Sequence, residues 1–232
     1  MKIGIIGAME REVKELCAKI ENSSVKKVAG TDFYSGKLHG KEVVIVQCGV
    51  GKVNSALRAQ ILISVFGVTH LINSGIAGAM GKGLGIFDFV VSEKACYHDV
   101  DVTPFGYPAG QVPGLDLYFE ADKTMVEAAV KAFNSSDISK KHKLVTGLVA
   151  SGDQFISGGE RKAYIKNTFS PDCVEMEGAS MAHAAVTNKI PFIIVRCMSD
   201  MAEDNVDSVY QFNEDEAAQI SESFVEAIID NL

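Results

Sequence analysis

The chain has 232 residues, which fits one large α/β domain spanning 1–232 better than two small ones. Apolar residues make up 47%, enough for a substantial core and too many for a disordered chain. The formal net charge of −8 argues against nucleic acid or an anionic membrane as a partner, because both call for a basic face.

The chain goes from Met1 directly into a strand-like run, so no signal peptide is expected. No apolar stretch is long enough to span a bilayer. The five cysteines (Cys17, Cys48, Cys96, Cys173 and Cys197) are scattered, odd in number and without a Cys-x-x-Cys pair. That pattern suits a reducing cytoplasm and predicts buried small hydrophobes, not disulfides or zinc ligands.

Residues 2–7 predict a buried strand and residues 10–20 a helix with Val13, Leu16, Cys17 and Ile20 on one face. The turn between them, Gly7-Ala8-Met9-Glu10-Arg11-Glu12, is a place where α/β enzymes keep functional groups. Its carboxylates, Glu10 and Glu12, are equally explained by the positive end of a helix. Residues 33–38 and 42–48 predict a hairpin around His39-Gly40. A second glycine-rich turn, Cys48 to Val53, leads into a helix over 53–65. It lacks the spacing of a phosphate loop and the third glycine of a dinucleotide fingerprint, so its glycines are read as permitting close backbone approach.

Residues 70–78 predict a strand ending in a run of mostly small residues, Gly75 to Gly78, and residues 87–93 another strand. Residues 97–119 predict a long irregular segment, a length that points to function or to a partner. Its apolar Val102, Phe105, Tyr107 and Pro113 suggest an interface. A helix over 122–132 follows, then a strand over 144–150 running into Ser151-Gly152-Asp153-Gln154-Phe155-Ile156, and a short helix over 160–167. Val174-Glu175-Met176-Glu177 reads as a strand that turns at once into a helix over 178–187. Alternation puts Glu175 and Glu177 on one face and Met176 on the other, unless the turn has already begun. Such carboxylates suit either a helix N-terminus or the vicinal diol of a ribose. Residues 191–198 predict a central strand tipped by Ser199-Asp200, followed by an acidic loop over 203–207 and a last helix opening at Asn213 or Asp215 and ending near Ile229. Strands and helices alternate throughout, so the expected class is α/β, a three-layer sandwich.

Together the strand ends describe a cleft with three candidate carboxylates (Glu12, Glu177 and Asp200), an arginine, Arg196, and an aromatic, Phe155. The five histidines have no paired spacing, so no zinc site is expected. No Gly-x-Ser-x-Gly elbow occurs.

Gly-Ala-Met-Glu-x-Glu-Val at the first turn, Tyr-His-Asp-Val-Asp-Val-Thr-x-Phe-Gly-Tyr at 97–107, Ser-Gly-Asp-x-Phe-Ile at 151–156, Val-Glu-Met-Glu at 174–177 and Arg-x-x-Ser-Asp at 196–200 occur in order along the chain. This series resembles the bacterial 5'-methylthioadenosine/S-adenosylhomocysteine nucleosidases of the purine nucleoside phosphorylase superfamily. The resemblance implies a homodimer built on a central twisted mixed sheet flanked by helices. It implies hydrolysis of an N-glycosidic bond to adenine and a 5-thioribose product, with no metal or organic cofactor. Carried over, Glu12 activates water for attack at C1', and Asp200, steadied by Ser199, protonates adenine N7. Met176 packs under the ribose and Glu177 grips its hydroxyls. Arg196 lies near the water and Glu12. Phe155 stacks on adenine, the Ile156 backbone reads the purine edge, and Ala77 and Gly78 line the substrate site. Met9, Val50 and Tyr210 line the 5'-thio pocket, which Val102, Phe105 and Pro113 reach from the second subunit. Two departures stand out. Ile76 replaces a serine common near the water, which bears on the water's hydrogen bonds. Tyr210 replaces a common phenylalanine, which makes the pocket more polar.

The chemistry has its own logic. Adenine leaves poorly as an anion, so an acid at N7 is needed, and the ribosyl centre becomes oxocarbenium-like. Carboxylates around the ring stabilise that cation. Asp200 must hold a proton near neutral pH, so desolvation and neighbouring carboxylates are expected to raise its pKa. A nucleoside phosphorylase would need a basic phosphate pocket, but only Arg11 is near and Glu12 would repel phosphate. An apolar 5' pocket disfavours a 5'-phosphorylated substrate. A catalytically dead binding protein would not need both Glu12 and Asp200.

Overall fold

The computed structural model describes residues 1–202 and 210–232, for 210–212 the backbone alone. The predicted acidic loop over 203–207 therefore lies outside the described residues, as does the side chain of Tyr210. Ten strands and six α-helices follow one another: β1 (Lys2–Gly7), α1 (Lys14–Lys19), β2 (Glu21–Val28), β3 (Thr31–Leu38), β4 (Lys41–Gln47), α2 (Lys52–Phe66), β5 (His70–Ala79), β6 (Phe89–Tyr97), β7 (Phe119–Glu120), α3 (Lys123–Ser135), β8 (Leu144–Ser151), α4 (Gly159–Phe169), β9 (Cys173–Glu175), α5 (Gly178–Thr187), β10 (Phe192–Asp200) and α6 (Tyr210–Asn231), all counted among the described residues.

The strands form one mixed sheet. β1 pairs in parallel with β4 and β5, and β5 pairs in parallel with β10. From β10 the sheet continues through antiparallel β6 to β8 and β9, and β9 returns to pair antiparallel with the end of β5. The ladder thus closes on itself on one side of β5 and runs out through β1, β4, β3 and β2 on the other. Side-chain alternation divides the core into two layers. Ile3, Ile5, Val43, Ile45, Ile193 and Val195 face α1, α3 and α6, while Ile6, Val44, Val46, Phe192 and Ile194 face α2 and α5. These are the three layers that the alternating pattern of elements predicts.

Several boundaries differ from the sequence expectation, each for a local reason. The helix expected over 10–20 is broken into a 3-10 turn, Glu10–Glu12, and the short α1, with Val13 between them at φ −135°. The Glu12 side chain folds back onto Ala8 and Met9, which tightens that turn. The strand expected over 87–93 runs on to Tyr97, and the segment after it contains a 3-10 turn, Thr103–Phe105, and the two-residue β7. β2 was not foreseen: it is an exposed edge strand, paired with β3 and polar in sequence. The last helix starts earlier than expected, at Tyr210.

Candidate active site

The site lies where the C-terminal ends of β5, β9 and β10 meet. Gly78 pairs with Val174 on one side and with Asp200 on the other. The end of β1 supplies the turn that carries Glu12, and the ladder register brings it beside β5. A cleft of about 240 Å³ opens there.

Glu12 is buried, and among the described residues its carboxylate hydrogen-bonds to main-chain groups alone. Its Oε2 accepts from the N–H groups of Ala8 at 2.7 Å and Met9 at 2.8 Å, and its Oε1 accepts from that of Ile76 at 3.0 Å. Two glycines make room for it. A Cβ on Gly75 would stand 2.5 Å from Glu12 Oε1, and one on Gly7 would stand 2.6 Å from Val13 Cγ1 and 3.0 Å from Glu12 Cβ. Burial pushes the Glu12 carboxyl above the usual range, against the nearby Arg196 charge and the three N–H donors. A carboxylate with raised proton affinity is suited to take a proton.

Val174-Glu175-Met176-Glu177 behaves differently from a regular strand. β9 ends at Glu175 and the turn begins at once, so Glu175, Met176 and Glu177 all border the cleft instead of alternating. Glu177 Oε1 accepts from the Gly51 N–H at 2.7 Å, tying the second glycine-rich turn to the cleft. Burial, and then the Glu175 charge, push the Glu177 carboxyl up to about 8. Hydroxyl donors entering the cleft would favour its charged form.

For Glu175 the structure favours the helix N-terminus over the diol, the first of the two readings open to both carboxylates. Glu175 Oε2 accepts from the N–H groups of Glu177 at 3.0 Å and Gly178 at 2.7 Å, so it caps the start of α5, and it also receives Arg196 Nη2. Ser151 donates to its Oε1 and accepts from the Ala179 N–H at 2.7 Å. Asn73 completes the cluster, receiving Arg196 Nη2 on its side-chain oxygen and Nη1 on its carbonyl at 3.1 Å. A polar Asn-Ser pair inside an otherwise largely apolar strand run is the signal that could have pointed to Asn73.

Arg196 therefore sits behind the cleft and does not line it. It is only 1% exposed. Its guanidinium carbon and Glu12 Oε1 both approach the place where a Gly75 Cβ would stand, at 3.5 and 2.5 Å. The expected proximity to Glu12 is present, but its hydrogen bonds go to Glu175, Asn73 and the Val195 carbonyl. Burial alone would lower its pKa, and the carboxylates of Glu175, Glu177 and Glu12 reverse that.

Asp200 follows an irregularity in the β10 ladder between Met198 and Asp200. Its Oδ2 accepts from the Ser199 hydroxyl at 2.9 Å and its Oδ1 from the Ala202 N–H at 2.8 Å. A Cβ on Gly78 would stand 3.0 Å from Oδ1, so this glycine keeps the space free.

Of the remaining predicted residues, Met9, Val50, Ala77, Gly78, Phe155, Met176 and Ser199 line the cleft, together with Ile76. Ile156 lines a smaller recess beside it, with Phe155 and Asp200. Val102, Phe105 and Pro113 do not line the cleft of their own chain, and Phe105 is 81% exposed. Tyr210 cannot be placed, its side chain lying outside the described residues. Among the described residues no group of three or more His, Cys, Asp or Glu is arranged to hold a metal ion. No helix among them is long and apolar enough to cross a membrane.

A sequence profile of the phosphorylase superfamily matches residues 2–230. A Staphylococcus saprophyticus protein named 5'-methylthioadenosine/S-adenosylhomocysteine nucleosidase is 41% identical over 228 residues, covering 98% of each chain. The nucleosidase of that name from Colwellia psychrerythraea, solved with adenine, superposes with a TM-score of 0.96 at 40% identity, covering 100% of this chain and 96% of that one. The S-adenosylhomocysteine nucleosidase of Streptococcus pyogenes, solved with 5-methylthiotubericidin, gives a TM-score of 0.95 at 39% identity over 100% of this chain and 97% of that one. The chain belongs to the phosphorylase superfamily and, within it, to the 5'-methylthioadenosine/S-adenosylhomocysteine nucleosidase family.

Proposed function

We propose that the protein hydrolyses the N-glycosidic bond of 5'-methylthioadenosine and S-adenosylhomocysteine, and also of 5'-deoxyadenosine. The observation that carries this is the pairing of Glu12 and Asp200 in one cleft with Glu177 beside them. Glu12 takes a proton from water as the water oxygen bonds to C1'. The C1'–N9 bond breaks, its electron pair goes to the base, and Asp200 gives a proton to N7. Glu177 accepts the ribose hydroxyls, Met176 packs beneath the sugar, and Ser199 orients Asp200. Phe155 covers the adenine face, while Ile156, Ala77 and Gly78 border the base. Arg196 acts from behind, through Glu175 and its field on Glu12. Met9, Val50 and Tyr210 supply an apolar wall for the 5' sulfur substituent.

The whole chain works as one domain in this proposal, in the cytoplasm, where it clears a by-product of methyl transfer and feeds salvage of methionine. The test is adenine release from methylthioadenosine with and without phosphate. Equal rates and a free thioribose product are expected, because the turn carrying Glu12 offers phosphate a buried carboxylate instead of a basic pocket. A ribose 1-phosphate product would overturn it.

The protein acts as a homodimer whose 5' pockets are completed by Val102, Phe105 and Pro113 of the second subunit. Support comes from the exposure of Phe105 and Tyr107 together on the segment after β6. Phe105→Ala is expected to weaken binding of methylthioadenosine more than that of adenine. A fully active monomer in sedimentation at assay concentration would refute the shared pocket.

A further inference from the structure

Two of the motifs singled out in the sequence, Tyr97-His98-Asp99 and Ser151-Gly152-Asp153, have no part in the chemistry above. In the fold they meet at Lys52, the first residue of α2. Lys52 Nζ donates to both carboxylate oxygens of Asp99, each at 2.7 Å. Asp99 Oδ2 also accepts from the Asp153 N–H at 2.9 Å. The Asp153 side chain returns the contact, its Oδ1 accepting from the Lys52 N–H at 2.8 Å. Three segments are thus closed into one ring of hydrogen bonds.

The ion pair within the ring is shielded, while the Asp153 side chain is half exposed. The Asp99 side chain is 10% exposed and that of Lys52 22%, with the ammonium 5.3 Å from the centre of the Tyr97 ring. Such a pair is screened less than one on an open surface. Burial would raise the Asp99 pKa, but Lys52 and the Asp153 N–H together hold it below the usual range. The close fit extends to Gly152, where a Cβ would stand 2.3 Å from the nearest atom of the His98 ring.

The position of this ring gives it a consequence. Asp153 is the second residue of the stretch 152–158, which belongs to no helix or strand and carries Phe155 and Ile156. On the other side, Gly51, adjacent to Lys52, donates to Glu177. The ring therefore spans from the wall that would cover a base to the turn that holds the carboxylate for a ribose. We infer that Lys52, Asp99 and Asp153 are positioning residues that fix the Phe155 loop against the Gly49–Gly51 turn, setting the affinity for the purine and leaving the rate of bond cleavage to Glu12 and Asp200. The inference rests on the nucleosidase function proposed above. A contact that holds substrate and transition state alike changes KM and spares kcat.

The test uses Lys52→Met, Asp99→Asn and Lys52→Arg in the full chain. For methylthioadenosine, Lys52→Met and Asp99→Asn are expected to raise KM about tenfold while kcat stays within about threefold, the signature of lost uniform binding. The dissociation constant of adenine, measured by calorimetry, should rise in step, and amide hydrogen exchange over 152–158 should quicken. Lys52→Arg keeps the cation and should recover most of the affinity. Unchanged KM, adenine affinity and exchange in both disruptive variants would overturn the inference. So would a lower melting temperature with unchanged KM, or a defect confined to kcat. If the wild-type protein released no adenine from methylthioadenosine, the proposed reaction would fail by itself, and hydrogen exchange over 152–158 would still decide whether the ring fixes the loop.

Discussion

Asp200→Asn is expected to lower turnover of methylthioadenosine by about 10² or more, and Glu12→Gln by at least as much. The two variants should part company when the leaving group changes. Asn at 200 keeps an oxygen for the Ala202 N–H but has no proton to give to N7. With a p-nitrophenyl riboside, whose leaving group needs no protonation, its defect should shrink markedly. Gln at 12 loses the base, and it also meets a problem of fit. Three N–H groups point at the two Glu12 oxygens, so the amide NH2 must face at least one of them. Its defect should therefore persist with both substrates. Steady-state rates on the two substrates, with purified variants, make the comparison. Near wild-type hydrolysis of methylthioadenosine by either variant would remove that residue from the mechanism, and a silent Glu12→Gln would reopen phosphorolysis and simple binding.

The second large effect is on stability. Arg196→Met is expected to cost about 3–5 kcal/mol, because it leaves a buried carboxylate without its counter-charge. The Arg196 and Glu175 side chains are each only 2% exposed. Adding Glu175→Gln to Arg196→Met should recover part of that loss, since the unpaired charge is then gone while the cap on α5 keeps one acceptor oxygen. Urea unfolding of the wild type, the two single variants and the double variant measures the cycle. An Arg196→Met protein within about 1 kcal/mol of wild type would match a surface ion pair and would contradict the burial of this one.

The uneven legibility of this fold follows from burial. β1, β5, β8 and β10 were visible because buried strands read as apolar runs, as in Lys2–Gly7 and Phe192–Asp200. β2 was not, because Glu-Asn-Ser-Ser-Val-Lys-Lys-Val carries no burial signal and owes its conformation to pairing with β3. The break in the helix expected over 10–20 depends on a side chain turning back to its own main chain, which periodicity does not register. In the site, carboxylates at strand ends could be picked out by position. Which of Glu175 and Glu177 would cap α5, and that Arg196 would pair with the capping one, could not, since both depend on where β9 stops. The orientation of Arg196 depends on its register beside Gly75 and on Asn73 two residues earlier in β5. The ring around Lys52 joins residues about 50 and 100 positions apart, and sequence spacing is blind to that.

The groups that hold Glu12 are main-chain N–H groups of residues 8, 9 and 76, and every amino acid except proline carries one. Sequence drift at these positions can reshape the cleft wall without loosening the carboxylate. Ile76 shows the separation: its side chain lines the cleft, and its N–H, which any residue but proline would supply, holds Glu12. Only a proline at one of the three, or bulk at Gly7 or Gly75, would reach the hold directly. Substitution at these positions would therefore change the lining of the cleft while the carboxylate keeps its place.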